Sequence, residues 1–222
     1  SPGRVSIFSP EPSGKWQEAI IFPHLHYLEF SSAGKYFFSK YTVGGRDLLL
    51  WPRPEKLSDW SLNPFPTPHF DAASRARLNS VKVLQHKSFV GKVQFSPSDS
   101  HILVSSHTSH LLVNASTVAV YLWGKNQAGE WSIQTFTDHC TPAITPCFSL
   151  SGLHVLTCNP WMSSILGRSN QKQWSLKGVI KQHGLLKAYF NPLSEHEVVI
   201  LSRTDNDTNI TLTVWEITGT PD

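Results

Sequence analysis

Val118-Ala-Val-Tyr-Leu-Trp123, then Gly129-Glu130-Trp131, then Ser132-Ile-Gln-Thr-Phe-Thr-Asp-His139, then Pro146-Cys-Phe148-Ser-Leu-Ser-Gly152 follow one another in a single stretch. An apolar run closing on Trp leads through a polar Gly turn into a second run opening on Trp. A His follows eight residues later, and a Phe-Ser turn ends the stretch. β-Branched and aromatic residues punctuated by turns every 8 to 12 residues read as an antiparallel strand meander.

The same order of landmarks recurs along the chain. Trp16, Trp131 and Trp174 each follow the end of an apolar run, at Phe8, Trp123 and Leu166, by eight residues. His24, His139 and His183 follow those Trp by eight, eight and nine. Phe30, Phe95, Phe148 and Phe190 each enter a turn of Ser, Asn, Pro or Gly, and the next apolar run ends at Ser39, Ser105, Thr157 or Ser202. The closing runs are Leu48–Trp51, Val118–Trp123 and Thr211–Trp215, with Leu166 standing where a Trp would close the third.

A sheet of about four short strands cannot bury both faces with its own side chains, so neighbouring sheets must stack around a common axis. The expected fold is all-β: a β-propeller of four-stranded antiparallel blades, about four repeats in one domain spanning 1–222, preceded by a lone strand at Arg4–Phe8. Four units are few for a closed ring. The strand at Trp16–Phe22 would have to compete with the extra N-terminal strand for the edge left at the C-terminus. An incomplete ring is therefore expected, completed by the rest of a longer chain or by another chain.

Residues 52–77 interrupt the period. Pro64, Pro66 and Pro68 would remove ladder donors from any strand there, so the segment reads as an insertion with one short helix at Asp71–Arg77, Asp71 as its N-cap. The pattern resumes at Leu78–His86. A second extension is expected between Ser105 and Val118, read as a connecting turn carrying His107 and His110.

The His, the Phe-Ser-Pro turn, the Ser or Thr of the next strand and the closing Trp make the chain resemble the WD-repeat family over nearly its whole length apart from the insertion. In that family the His, the Ser or Thr, an Asp of the following turn and the Trp form a hydrogen-bonded set within a blade. The resemblance carries this set onto His183, Ser202 and Trp215, with Asp205 or Asp207, and more loosely onto His24, Ser39, Asp47 and Trp51. The second unit has His86, Ser105 and Trp123 but Asn114 in place of the Asp, so the repeats are degenerate. The resemblance also implies scaffolding in multi-protein assemblies.

The 222 residues are 40% hydrophobic and 16% charged, which suits a packed core. No apolar run approaches the roughly 18 residues of a membrane-spanning helix. A net charge of +3 is far from the basic stripe of a nucleic-acid binder. No signal peptide is visible, so a cytoplasmic location is expected. Cys140, Cys147 and Cys158 form neither an even disulfide set nor a Cys-x-x-Cys pair and read as reduced thiols.

Little in the sequence points to catalysis. His107 and His110 have the i, i+3 spacing of a helical metal pair, but they read as loop residues with no carboxylate or Cys nearby, so no metal or other cofactor is expected. Asp138-His139-Cys140 contains groups of a nucleophilic site, yet the recurring His without Cys makes His139 a repeat landmark. Gly14-Lys-Trp16 and Gly129-Glu-Trp131 match only the end of the Asp-containing turn of sialidase-type propellers.

The chain thus reads as a non-catalytic protein-protein interaction scaffold binding proteins or peptides through blade-connecting loops. The alternative is a propeller hydrolase acting on glycans or esters. Partner-binding candidates are Trp161 and Met162, large apolar residues in the turn after Asn159-Pro160; His107 and His110; and Arg75 and Arg77, which with Lys82 and Lys87 make the insertion basic.

Overall fold

The computed structural model describes residues 4–23, 27–40, 45–53, 82–110, 115–139, 144–169, 173–203 and 209–218. Regular structure among them is entirely extended, with no helix. The chain divides into two compact units, Ser1–Lys87 and Ser88–Asp222.

In the first unit β1 (Arg4–Pro10) pairs antiparallel with β2 (Trp16–Pro23). The strand expected to stand alone is thus one arm of a hairpin. Its turn is closed by the Gly14 amide donating to the Glu11 carbonyl at 2.9 Å. A four-stranded sheet follows, β3 (Tyr27–Phe30), β4 (Tyr36–Lys40), β5 (Asp47–Pro52) and β6 (Lys82–Gln85), hydrogen-bonded in that order. β6 pairs Leu84 with Leu48 and Gln85 with Asp47, so the chain resumes beside the strand it left. The insertion between them, including the expected helix at Asp71–Arg77 with Arg75 and Arg77, lies outside the described residues apart from Pro52 and Arg53.

The second unit holds three sheets. β7 (Phe89–Phe95), β8 (His101–His110), β9 (Ala115–Lys125) and β10 (Trp131–His139) form the first. β11 (Ile144–Phe148), β12 (His154–Asn159), β13 (Met162–Arg168) and β14 (Trp174–Lys181) form the second. β15 (Leu185–Phe190), β16 (Glu197–Ser202) and β17 (Thr211–Glu216) form the third, which has three strands among the described residues. The Trp131 and Trp174 strands each close the sheet that precedes them. The repeat visible in the sequence is therefore one strand out of phase with the sheet.

The turns after the Phe landmarks share one construction. Ser31, Ser96 and Ser149 offer a side-chain oxygen to main-chain amides across the turn, those of Tyr36, of Ser100 and His101, and of His154. Three residues on, Gly34, Asp99 and Gly152 have positive φ of 71°, 57° and 75°, a left-handed step that Gly and Asp tolerate. The fourth turn uses Asn191, whose carbonyl accepts from the Ser194 amide.

One segment departs from expectation. The stretch read as a turn after Ser105 is strand: β8 continues to His110 and β9 begins at Ala115, pairing His107 with Val118 and His110 with Ala115. Backbone bonds carry this extension of the ladder, while Thr108, Ser109, Ser116 and Thr117 give it no apolar alternation to be read from sequence.

Stacking supplies the core. Leu103, Val120 and Leu122 of the first sheet pack on Phe148 and Val155 of the second, with Leu166 and Trp174 at the margin. Leu156, Cys158, Ile165 and Ile180 of the second pack on Leu185, Ala188, Phe190, Val198 and Ile200 of the third. Each Leu, Ile, Val or Phe among them contributes about 1.5–3 kcal/mol by leaving water. Four-stranded antiparallel sheets stacked face to face are the blades of an incomplete propeller.

Candidate functional site

Trp161 occupies the tip of the β12–β13 hairpin, between Pro160 and Met162, and is 50% exposed. Asn159 explains the local geometry. It is buried, and its Oδ1 accepts from the Trp161 and Met162 amides, both at 2.9 Å, the arrangement that makes Asn a turn initiator. Pro160 follows where its fixed φ suits the second turn position. Main-chain bonds then tie the turn to the β14–β15 connection: the Gln182 amide donates to the Trp161 carbonyl at 2.9 Å, and the Leu185 amide to the Pro160 carbonyl at 3.1 Å. An indole half in water is thus held on a backbone that is hydrogen-bonded on both sides. Met162, the first residue of β13, is half-buried beside it.

The β14–β15 connection is fixed in turn. Gly184, at φ +65°, donates nothing to side-chain packing, yet a Cβ there would lie 1.5 Å from the Arg203 carbonyl oxygen. The Gly184 carbonyl accepts from the Arg203 amide at 2.8 Å. Gln182 Nε2 donates to Ser202 Oγ, Thr213 Oγ1 donates to Gln182 Oε1 at 3.4 Å, and Trp215 Nε1 donates to Thr213 Oγ1 at 3.3 Å. The set carried over by resemblance is corrected here. His183 is exposed, and Gln182, one residue earlier, makes the contact to Ser202.

Elsewhere the implied set is realised unevenly. Trp51 Nε1 donates to Ser39 Oγ at 3.1 Å. Ser105 bonds the main chain of Lys92, and His86 Nδ1 lies 3.3 Å from the Arg46 carbonyl oxygen. His24 and Asp205 to Asp207 lie outside the described residues.

A second cluster lies at the seam between the first two sheets of the second unit. The His101 ring meets Trp174 edge-on at 5.4 Å, and its Nδ1 is 2.8 Å from Ser100 Oγ. Desolvation, reinforced by the positive charge of Arg168, pushes the imidazole pKa down to about 4. Arg168 Nε and Trp174 Nε1 are buried without a hydrogen-bond acceptor. The group is neutral imidazole, indole, one cation and the Ser100 hydroxyl, with no carboxylate among these members.

The remaining sequence candidates are dispersed. His107 and His110 are on β8 rather than in the connecting turn expected of them. Arg75 and Arg77 lie outside the described residues. Among the described residues no three His, Cys, Asp or Glu side chains group so as to hold a metal ion. Sequence reading singled out Trp161 but missed Gln182, whose main-chain bond to the turn leaves no residue-type signature.

No family model matches the chain, and no curated protein matches it. Solved structures do. Sqt1 from Chaetomium thermophilum superposes with a TM-score of 0.58 over 99% of this chain and 52% of that one, at 13% identity. A hypothetical selenium-binding protein from Sulfolobus tokodaii gives 0.50 over 81% of this chain and 47% of that one, at 10% identity. A Bacteroides fragilis protein provisionally described as a 6-phosphogluconolactonase gives 0.48, over 96% and 65%, at 10% identity. The matched structures are β-propeller-like, and the chain spans from about half to just under two thirds of their length.

Proposed function

We propose that the chain is a non-catalytic interaction module of the WD-repeat type, binding a protein or peptide at the end of the blades that carries the Trp161 turn. The observation that carries the reading is the half-exposed indole of Trp161 on a turn bonded to its neighbour at Gln182 and Leu185. A large aromatic presented on a pre-ordered backbone loses little entropy on binding and buries much apolar area, the properties of an interface hot spot. Fold likeness to Sqt1 supports the propeller scaffold and is silent on the partner.

A random peptide-display library panned on the whole immobilised chain tests the reading. Enriched peptides should carry an aromatic or aliphatic residue and lose at least about tenfold in affinity for Trp161→Ala, the loss expected of a hot spot. Peptides that bind both proteins equally would move the site away from this turn.

A further inference from the structure

The chain segments bonded to the Trp161 turn carry charge of one sign. Residues 159–164, which hold the turn, are joined to 179–187 through the Gln182 and Leu185 amides, and 179–187 to 200–203 through the Arg203 amide on the Gly184 carbonyl. Lys181, His183, Lys187 and Arg203 lie in these segments and are exposed. None of the residues in the three segments is acidic. Asp205 and Asp207, next along the chain, lie outside the described residues.

Lys181 has the most direct relation to the turn. It stands opposite Met162 in the β13–β14 ladder, so the two side chains leave the sheet on one face with their Cβ atoms about 5 Å apart. Lys187, by contrast, is engaged over the Tyr189 ring, 5.8 Å from its centroid. Among the described residues no carboxylate is bonded to Lys181. An exposed indole, a half-buried thioether and an ammonium are thus assembled at two adjacent strand ends. An apolar side chain settled on the first two brings its own chain neighbours against the third. A carboxylate there makes a charge-assisted bond in surroundings partly cleared of water, where it is stronger than on an open surface. A cation there meets repulsion.

Given the docking role proposed for the Trp161 turn, on which this depends, we infer that the partner is an acidic peptide. It is a linear segment with an aromatic or aliphatic anchor for Trp161 and Met162, and an Asp or Glu one or two residues away for Lys181. Single-stranded RNA would offer bases to the indole and phosphate to the same ammonium, but a chain of net charge +3 has little of the basic track such a backbone follows.

The peptides enriched by display on the whole chain supply the probe, made with amidated C-termini so that side chains carry the only carboxylates. Those that Trp161→Ala weakens should contain Asp or Glu beside the anchor. Lys181→Gln should weaken them about threefold, as for an exposed pair, and Lys181→Glu about tenfold, because repulsion replaces attraction. Counterpart peptides with Gln for Glu and Asn for Asp should bind the unmodified chain more weakly and be indifferent to both Lys181 variants. Lys181 is exposed, so the unfolding midpoints of the variants should stay close to that of the unmodified chain. Panning the library afresh on the Lys181→Glu chain should turn the flanking residues to Lys or Arg. Peptides that depend on Trp161 but ignore Lys181→Glu would overturn the acidic partner and leave the docking turn standing. Peptides that ignore both substitutions, or a library that yields none, would remove the turn as well. A chain that takes oligouridine RNA in preference to every peptide would also overturn the inference.

Discussion

Trp51 Nε1 donates to Ser39 Oγ at 3.1 Å across the β4–β5 ladder, and both residues are buried. The indole also stacks on Phe37, ring centroids 5.8 Å apart and planes 2° from parallel. A buried N–H deprived of its acceptor costs its desolvation, whereas the ring's packing is kept. Ser39→Ala should therefore lower stability by about 1–2 kcal/mol, read as a shift in the denaturant midpoint with an unchanged slope.

His101 makes stability depend on pH. Its folded pKa, about 4, lies below the 6.5 of the free side chain. The unfolded chain thus binds the proton first, and stability rises with pH through that window. The contribution is fully present above about pH 6.5 and is lost on acidification toward pH 4. His86 and His154 are shifted in the same direction, by desolvation first. Unfolding free energies measured from pH 7 to 4 should fall less steeply for His101→Gln than for the unmodified chain; parallel profiles would refute the assignment.

Gly184→Ala combines a left-handed backbone with a Cβ driven into the Arg203 carbonyl. We expect a loss of about 3 kcal/mol, from strain and forced displacement together, measurable by thermal unfolding. Gly129→Ala, with positive φ but nothing within 4 Å of the added carbon, should cost only the backbone term of about 1 kcal/mol.

Burial pushes the Cys158 thiol up to about 12. The half-buried Cys147 is raised by the same cause. Thiolate is the reactive form. Iodoacetamide at pH 8 should leave Cys158 unmodified in the folded chain and alkylate it in urea, as peptide mapping by mass would show.

The stacking of sheets was legible because it rests on side-chain type. Phe95, Phe148 and Phe190 had to be buried, and Ser96 and Ser149 cap the turns that follow them. What escaped reading rests on backbone bonds and on one exchanged side-chain donor. The far end of the β8–β9 ladder joins small polar residues through main-chain bonds that any sequence can make. The place expected of His183 is filled by Gln182, an equally capable donor at the neighbouring position. Trp161 stood out as a large aromatic beside proline, but besides the local Asn159 bonds its turn is tied down by the Gln182 and Leu185 amides, more than 20 positions away.

The one-strand offset between repeat and sheet has an evolutionary corollary. Excising 131–173, one whole period, would remove β10 with β11, β12 and β13, and bring Trp174 to the place beside β9 that Trp131 now holds. Both surviving edges would find partners of the usual kind. Gain or loss of a period by unequal recombination thus leaves no orphan strand, and blade number in such a lineage can drift without the architecture being reinvented.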